Sequence, residues 1–268
     1  MTDTSELVKV LITVMTYPHP SEKHKEVVCT AGVTDKGEWV RLYPIDYRYR
    51  PKTQKFRKYQ WIEVQLEPRG NANDNRKESR KPDLDSIKIL GPRILTGNQW
   101  FERKKIIDTL PHHTVKELTA LHKKDRTSLG VVRPSQILDL KISPADSDWK
   151  PQWQRRLSQL DLFDGAPKQL SKIPFKFQYV FKCEDSKNPH CIMVEDWELG
   201  ILFLRERDRL KSDKRAAESV RKKFFGEMCA KDKDTRFFMG NNLRFGTWLV
   251  LGVFWPPKTN GEQLDLFS

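Results

Sequence analysis

Val27-Val28-Cys29-Thr30-Ala31-Gly32-Val33, then Thr34-Asp35-Lys36-Gly37, then Glu38-Trp39-Val40-Arg41-Leu42-Tyr43: two runs rich in β-branched and aromatic residues flank a four-residue turn signal. That pattern predicts a β-hairpin, although the alternation over 39–43 is imperfect. Outward from it, Leu7–Met15 (LVKVLITVM), Trp61–Leu66 and Ile87–Leu90 read as further strands. Between the last two, Arg69–Asp85 (RGNANDNRKESRKPDLD) reads as a polar, mobile loop, with Asp74, Arg76, Glu78 and Arg80 as solvated surface. Five short strands with basic loops predict a small barrel-like half of the OB, SH3-like or PUA-like kind.

Further along, Gln99–Leu110 and Thr114–Lys123 read as short helices separated by Pro111, and Ser128–Ile142 as a turn leading into a strand. Ser143–Trp153 (SPADSDWKPQW) has linker composition. The expected domains are therefore 1–145, a β-rich basic domain with short helices; 146–172, a linker; 173–257, a mixed α/β domain; and 258–268, a flexible tail. The fold class is α+β. In the C-terminal half, Phe175–Cys183 alternates with period two and reads as a strand. Asp196 is placed to cap a helix over WELGILFLRERDRL, and Ser212 to cap a second one. In that second helix Ala216, Val220, Phe224 and Met228 recur every four residues and form one core stripe. Thr235–Met239 and Thr247–Trp255 close the domain as strands, and Gly240-Asn241-Asn242 suggests a turn between them.

The chain has 268 residues, 49 Lys+Arg against 36 Asp+Glu, and a formal charge of +13. With glycine counted, roughly 42% of residues are apolar, a little under the ~45–50% of ordinary globular domains. That is enough for a packed core at this length. The mean hydropathy is −0.69. The longest uncharged apolar run, Phe245–Pro257, has 13 residues, short of the ~20 that a spanning helix needs. No secretory leader is visible at the start. Cys29, Cys183, Cys191 and Cys229 are too scattered for a disulfide framework. The expectation is a cytoplasmic, nucleoid-associated protein with reduced thiols and no membrane partner.

The positive charge points to nucleic acid as a partner. Tyr47–Trp61 (YRYRPKTQKFRKYQW) holds six basic residues, five aromatics and no acid. Arg48, Arg50, Lys52, Lys55, Arg57 and Lys58 are therefore the candidate nucleic-acid contacts, with cations for phosphates and rings for unpaired bases. The alternative is a strand pair with core aromatics and solvated cations. Among possible chemistries, Asp185, Glu195 and Asp196 are candidate carboxylates for a metal-dependent nuclease. Cys183, His190 and Cys191 are candidate zinc ligands without tight-knuckle spacing. His112, His113 and His122 are further loop histidines. There is no Walker loop, GxSxG, HExxH or GxGxxG, and no cofactor is expected.

One five-residue word occurs twice: Gln159-Leu160-Asp161-Leu162-Phe163 and Gln263-Leu264-Asp265-Leu266-Phe267. Both copies resemble the peptide by which bacterial DNA polymerases, mismatch-repair proteins and other replication factors bind the sliding clamp. The resemblance implies the clamp's beta subunit as partner. Leu and Phe would be the apolar anchors, Gln a hydrogen-bonding group at the pocket entrance, and Asp a residue at the wet rim. A few buried anchors can carry most of such an affinity. The inner copy is expected in an exposed loop and the second on a flexible tether. The clamp is a dimeric ring, so two exposed copies would allow bivalent capture where the geometry spans both pockets. The body, through VCTAG (Val28–Gly32), WVRLYPI (Trp39–Ile45), EDWEL (Glu195–Leu199) and GVFWPP ending at Pro257, is similar to a group of uncharacterised bacterial proteins that brings no known activity.

Together these readings predict a DNA-associated accessory protein that docks on the sliding clamp through QLDLF and contacts DNA with a basic surface, in replication, repair or mobile-element biology. Two alternatives accompany it: a clamp-targeted nuclease or other nucleic-acid-processing enzyme, and an RNA-binding protein built on a PUA-like or OB-like barrel.

Overall fold

The hairpin sits in the middle of a seven-stranded sheet. The computed structural model describes residues 5–22, 24, 26–68, 74–163, 170–243 and 246–258. In it, strand β1 spans Glu6–Met15, β2 His19–Pro20, β3 Glu26–Thr34 and β4 Trp39–Ile45. Gly37 holds the left-handed turn position at φ 80°, where a side chain would be strained. The Thr34 N–H closes the turn on Glu38 O at 2.8 Å. With β5 (Trp61–Leu66), β6 (Ser79–Arg80) and β7 (Lys88–Ile89), the order is β6-β4-β3-β1-β5-β7, and β2 pairs with β3. The sheet curls into a half-barrel. Just past β6, Pro82 bridges to Leu66 at the end of β5, and the Glu67 N–H donates to Lys81 O at 2.9 Å. Val10, Ile12, Leu42, Ile62 and Val64 fill its concave side and are wholly buried, each worth ~1.5–3 kcal/mol of transfer from water.

Past helix α1 (Gly97–Ile107) the chain forms β8 (His112–His113), α2 (Val115–Asp125), β9 (Leu129–Val132) and β10 (Gln136–Pro144). Thr114 and Glu117 make a reciprocal capping box at the start of α2, which satisfies two otherwise orphaned N–H groups. The single strand expected within 128–142 is split in two, because Pro134 has no N–H to give a ladder. Helix α3 occupies Pro151–Phe163, where linker composition suggested irregular chain. Pro151 sits at its start, where proline is tolerated, and Trp153 and Leu157 share one face, with Leu157 buried.

Strands β11 (Phe175–Lys182) and β12 (His190–Met193) join β10 in a three-stranded sheet, in the order β10-β11-β12. Helix α4 (Trp197–Leu210) is capped by Asp196, whose Oδ1 accepts the Glu198 N–H at 2.6 Å, and α5 (Asp213–Arg221) is capped by Ser212. The predicted stripe of Ala216, Val220, Phe224 and Met228 is buried in the core of this half. From Lys222 to Glu227 the helix widens into a π turn. Strands β13 (Arg236–Asn241) and β14 (Trp248–Phe254) then build a four-stranded sheet, in the order β14-β13-β9-β8. The turn expected at Gly240-Asn241 is instead the end of β13, with Asn241 opposite Trp248.

A shared core joins the halves. Val14, Ala31 and Val33 pack with Leu129, Val131, Phe238, Leu251 and Phe254. The fold is α+β, with a curled β-rich first half and mixed sheets and helices after it. Among the described residues no helix is long and apolar enough to cross a membrane.

Candidate nucleic-acid groove

The six cations singled out in 48–58 are dispersed by folding. Arg48 donates to both oxygens of Glu26, at 2.9 and 3.1 Å. Arg50 is bound to Asp46 and Asp85. Lys52 is exposed and Lys55 half-buried, on either side of a short 3-10 turn rather than a strand pair. Lys58 is buried, its Nζ 2.8 and 2.7 Å from the two carboxylate oxygens of Asp196 and 3.5 Å from Glu198. Burial pulls the Lys58 pKa down, but the two carboxylates outweigh it and the net shift is upward. Lys58 in turn holds the Glu198 carboxyl below the usual range. Of the six, only Arg57 brings an exposed cation, without a carboxylate partner among the described residues, to the large groove described next.

That groove has a volume of about 880 Å³, and its lining includes eight Lys or Arg against three Glu. Its cations come from distant segments: Arg57 and Lys58, Arg93, Arg103, then Arg205 and Arg209 on α4, and Lys222 and Lys223 on the π turn. Among the described residues, Arg57, Arg205 and Lys222 are exposed and have no carboxylate at ion-pair distance. The floor is aromatic. Trp197 and Tyr47 meet edge to face at 5.3 Å, Trp100 and Trp255 at 5.2 Å, and all but the buried Trp100 are partly exposed. Arg103 pins this floor. Its guanidinium lies 3.7 Å from the Tyr59 ring centre and 5.0 Å from that of Trp100, and it donates to Ile94 O at 3.0 and 2.7 Å. Tyr59 (φ 62°) and Trp100 (φ 69°) both hold left-handed backbone, a conformation costing ~1–2 kcal/mol per residue. Such strain persists only where surrounding contacts over-determine it, and here Arg103 supplies them.

Sequence reading missed most of this groove. A basic run signals local charge, whereas these cations converge only through the packing of α4 and the π turn against the half-barrel. The basic residues over 205–223 are interleaved with acids, which is locally the pattern of an ordinary solvated face. The π turn is a further mark, since such insertions concentrate at functional sites.

The remaining candidates are scattered. Asp196 is buried with Lys58 and caps α4. Glu195 is 4.0 Å from His19, and Asp185 accepts from Thr114 Oγ1 at 2.8 Å. Cys183 is buried in the core while Cys191 is exposed, and the described residues hold no group of three His, Cys, Asp or Glu side chains placed for one metal ion. These three carboxylates have separate partners, so the geometry does not assemble them into a nuclease centre. His112 Nε2 lies 3.2 Å from Arg236 Nη1, and burial together with that guanidinium keeps its pKa below the ordinary value. His122 Nδ1 is 2.8 Å from Thr127 O.

Of the clamp-like words, Gln159, Leu160, Asp161, Leu162 and Phe163 have helical backbone at the end of α3, which corrects the expected loop; their side chains lie outside the described set. Gln263, Leu264, Asp265, Leu266 and Phe267 lie outside the described residues. The polar segment 74–80 also departs from expectation. Arg76, Glu78, Ser79 and Arg80 are buried, because each finds a hydrogen-bond or ionic partner in the fold, as buried charges require.

Residues 111–268 match a family model described as Domain of unknown function (DUF8757), and residues 6–109 match one described as Domain of unknown function (DUF8758). No curated protein matches the chain.

Proposed function

We propose, for a chain that belongs to the family described as Domain of unknown function (DUF8757), a nucleic-acid-binding accessory role in which QLDLF segments dock on the bacterial sliding clamp and the basic groove lies on DNA. The observation that carries the nucleic-acid half is the groove: exposed Arg57, Arg205 and Lys222, without carboxylate partners among the described residues, around a floor of Trp and Tyr rings. Free cations release counterions from a phosphate backbone, and ring faces take stacked bases irrespective of sequence. The clamp half is supported by the repeated word. The extended form such a peptide takes requires the last turn of α3 to unwind for the inner copy, so the second copy is assigned the primary docking role.

Two measurements test the reading. Purified clamp shifts the chain on gel filtration; Leu266→Ala with Phe267→Ala removes most of that shift, and Leu162→Ala with Phe163→Ala removes less. An undiminished shift in the first variant rejects the docking assignment. Fluorescence anisotropy on single-stranded and duplex DNA across a salt series tests the groove. Arg57→Ala, Arg205→Ala and Lys222→Ala together are expected to flatten the log–log salt dependence by about 2–3 on duplex DNA. An unaltered slope places the DNA contact elsewhere.

A further inference from the structure

A second hollow, about 600 Å³, is lined by residues of β3, β4, β6 and the end of β13. Most charges in its wall are matched. Asp74 accepts from Arg76 Nε at 2.9 Å and from Ser79 Oγ at 2.8 Å, Arg80 lies 3.3 Å from Glu6, and Lys81 lies 2.6 Å from Glu67. Two groups are left over. Arg41 is 2% exposed and, among the described residues, has no carboxylate at ion-pair distance. Its Nη1 donates to Cys29 Sγ at 2.9 Å and its Nη2 to Ser128 O at 2.9 Å, while Nε has no partner among the described residues. The nearest carboxylate in its hydrogen-bond network, Glu78, is reached only through the Ser128 hydroxyl. Asn241 is 3% exposed, and among the described residues neither its amide oxygen nor its amide nitrogen has a partner.

These two residues share an anchor. Ser128 O accepts from Arg41 Nη2 and also from the Asn241 N–H, at 2.8 Å. Gly240, between β13 neighbours, brings the backbone close to the guanidinium: a Cβ there would stand 3.4 Å from Arg41 Nη2 and 2.2 Å from Leu251. Around them the wall is apolar, with Pro44, Leu249, Leu251 and the Tyr43 ring.

We infer that this cleft holds one nucleotide, its base edge on the Asn241 amide and its phosphoryl group toward Arg41. A side-chain amide presents a donor beside an acceptor, the pattern that pairs with a base edge and, through both atoms, with adenine. A buried guanidinium without direct counter-charge calls for an anion. A small anion alone leaves the amide unmatched, and a neutral base alone leaves the cation unmatched; a nucleotide satisfies both. Apolar walls with a few convergent polar groups, in a volume within ~300–1,000 Å³, are the ordinary anatomy of a small-molecule site. The nucleotide is either free or an unpaired unit of a strand turned out of its stack.

Isothermal titration calorimetry of the full chain distinguishes these sources, with 5′-mononucleotides of the four bases in one arm, short single-stranded oligonucleotides in a second and inorganic phosphate in a third. The oligonucleotide arm uses the Arg57→Ala, Arg205→Ala, Lys222→Ala background, so a failure of the groove and a failure of the cleft read separately. The expected result is binding led by the adenine nucleotide, weakened at least tenfold by Asn241→Ala, while the ligand-free Tm of that variant equals or exceeds that of the unaltered chain because a buried, unpaired amide is gone. Asn241→Leu serves as a second variant if alanine disturbs β13. Mononucleotide binding identifies a free ligand; oligonucleotide binding alone identifies a nucleotide within a strand. Absence of binding in both arms, phosphate binding as tight as the best nucleotide, or an unchanged affinity in both Asn241 variants overturns the assignment.

Discussion

Two hollows share one short segment of chain: Glu195 lines the smaller cleft, and Trp197 and Glu198 line the larger groove. They differ in how their charge is held. In the cleft nearly every ion is fixed to an opposite ion, as Asp74 is to Arg76, and what remains unmatched is one amide and one guanidinium. In the groove Arg57, Arg205 and Lys222 are exposed and have no carboxylate partner among the described residues, while Lys58, Arg209 and Lys223 are paired with Asp196, Glu206 and Glu227 and Arg103 is buried. Fixed charges with one orphaned amide suit a discrete ligand of defined shape. Exposed, unmatched charges suit a long polyanion that neutralises several of them at once. Net charge therefore locates neither site; the pairing of each ion does.

The largest effect expected on this contrast comes from its boundary. Lys58→Ala leaves Asp196 buried beside Glu198 without its cation and is expected to cost ~3–5 kcal/mol in urea unfolding. Adding Asp196→Asn recovers part of that loss. A cost below ~1 kcal/mol would show that Lys58 belongs with the free cations of the groove and break the comparison. Next comes the floor. Arg103→Ala removes two hydrogen bonds to Ile94 O and the stacking on Tyr59, for ~2–3 kcal/mol, and DNA affinity falls with it as the strained Trp100 turn relaxes. By contrast, Arg57→Ala, Arg205→Ala and Lys222→Ala singly change stability by no more than ~0.5 kcal/mol each, while each lowers the salt slope on duplex DNA by about 0.9. A stability loss as large as that of Arg103→Ala would mean they are structural.

A smaller effect is set by pH. Burial pushes the Cys229 thiol up to about 12 and the Tyr17 hydroxyl up to about 12. Both folded values lie above the ordinary 9.0 and 10.0, so the folded state keeps these protons longer than the unfolded chain does. Their contribution is complete below pH ~9 and declines as pH rises from 9 toward 12. Urea midpoints measured from pH 8 to 10.5 fall accordingly, and Cys229→Ala makes that decline shallower. An identical decline in the variant would place the alkaline sensitivity elsewhere.

The fold was legible where a local rule suffices. Trp61–Leu66, the turn at Gly37, the Asp196 and Ser212 caps and the stripe through Ala216 and Met228 each depend on residues a few positions apart. The sites were not, because they depend on pairings across the chain. Nothing within 47–61 tells that Lys58 is consumed by Asp196, 138 residues later, or that Arg48 is consumed by Glu26. Segment 74–80 is polar enough to pass for a surface loop, yet Arg76 reaches Asn241 O, 165 residues away. Asn241 itself was read as a turn residue, since its neighbour Gly240 is permissive and its strand pairing to Trp248 is non-local. Helix α3 was hidden by Pro, Ser and Asp just upstream of its first turn.

The π turn at Lys222–Glu227 has a geometric consequence for the helix that carries it. Four residues of ordinary α-helix overshoot a full circle by about 40°, so a stripe spaced strictly by four winds steadily off its face. Closing the turn through longer bonds, such as Met228 N–H to Lys223 O at 3.0 Å, advances each residue by a smaller angle and winds the stripe back. Phe224 and Met228 thereby regain the azimuth of Ala216 and Val220. Deleting a single residue between 222 and 227 would restore regular winding and leave Met228 close to its present azimuth, because one α-helical step fewer turns the helix about as far as the widened turn does.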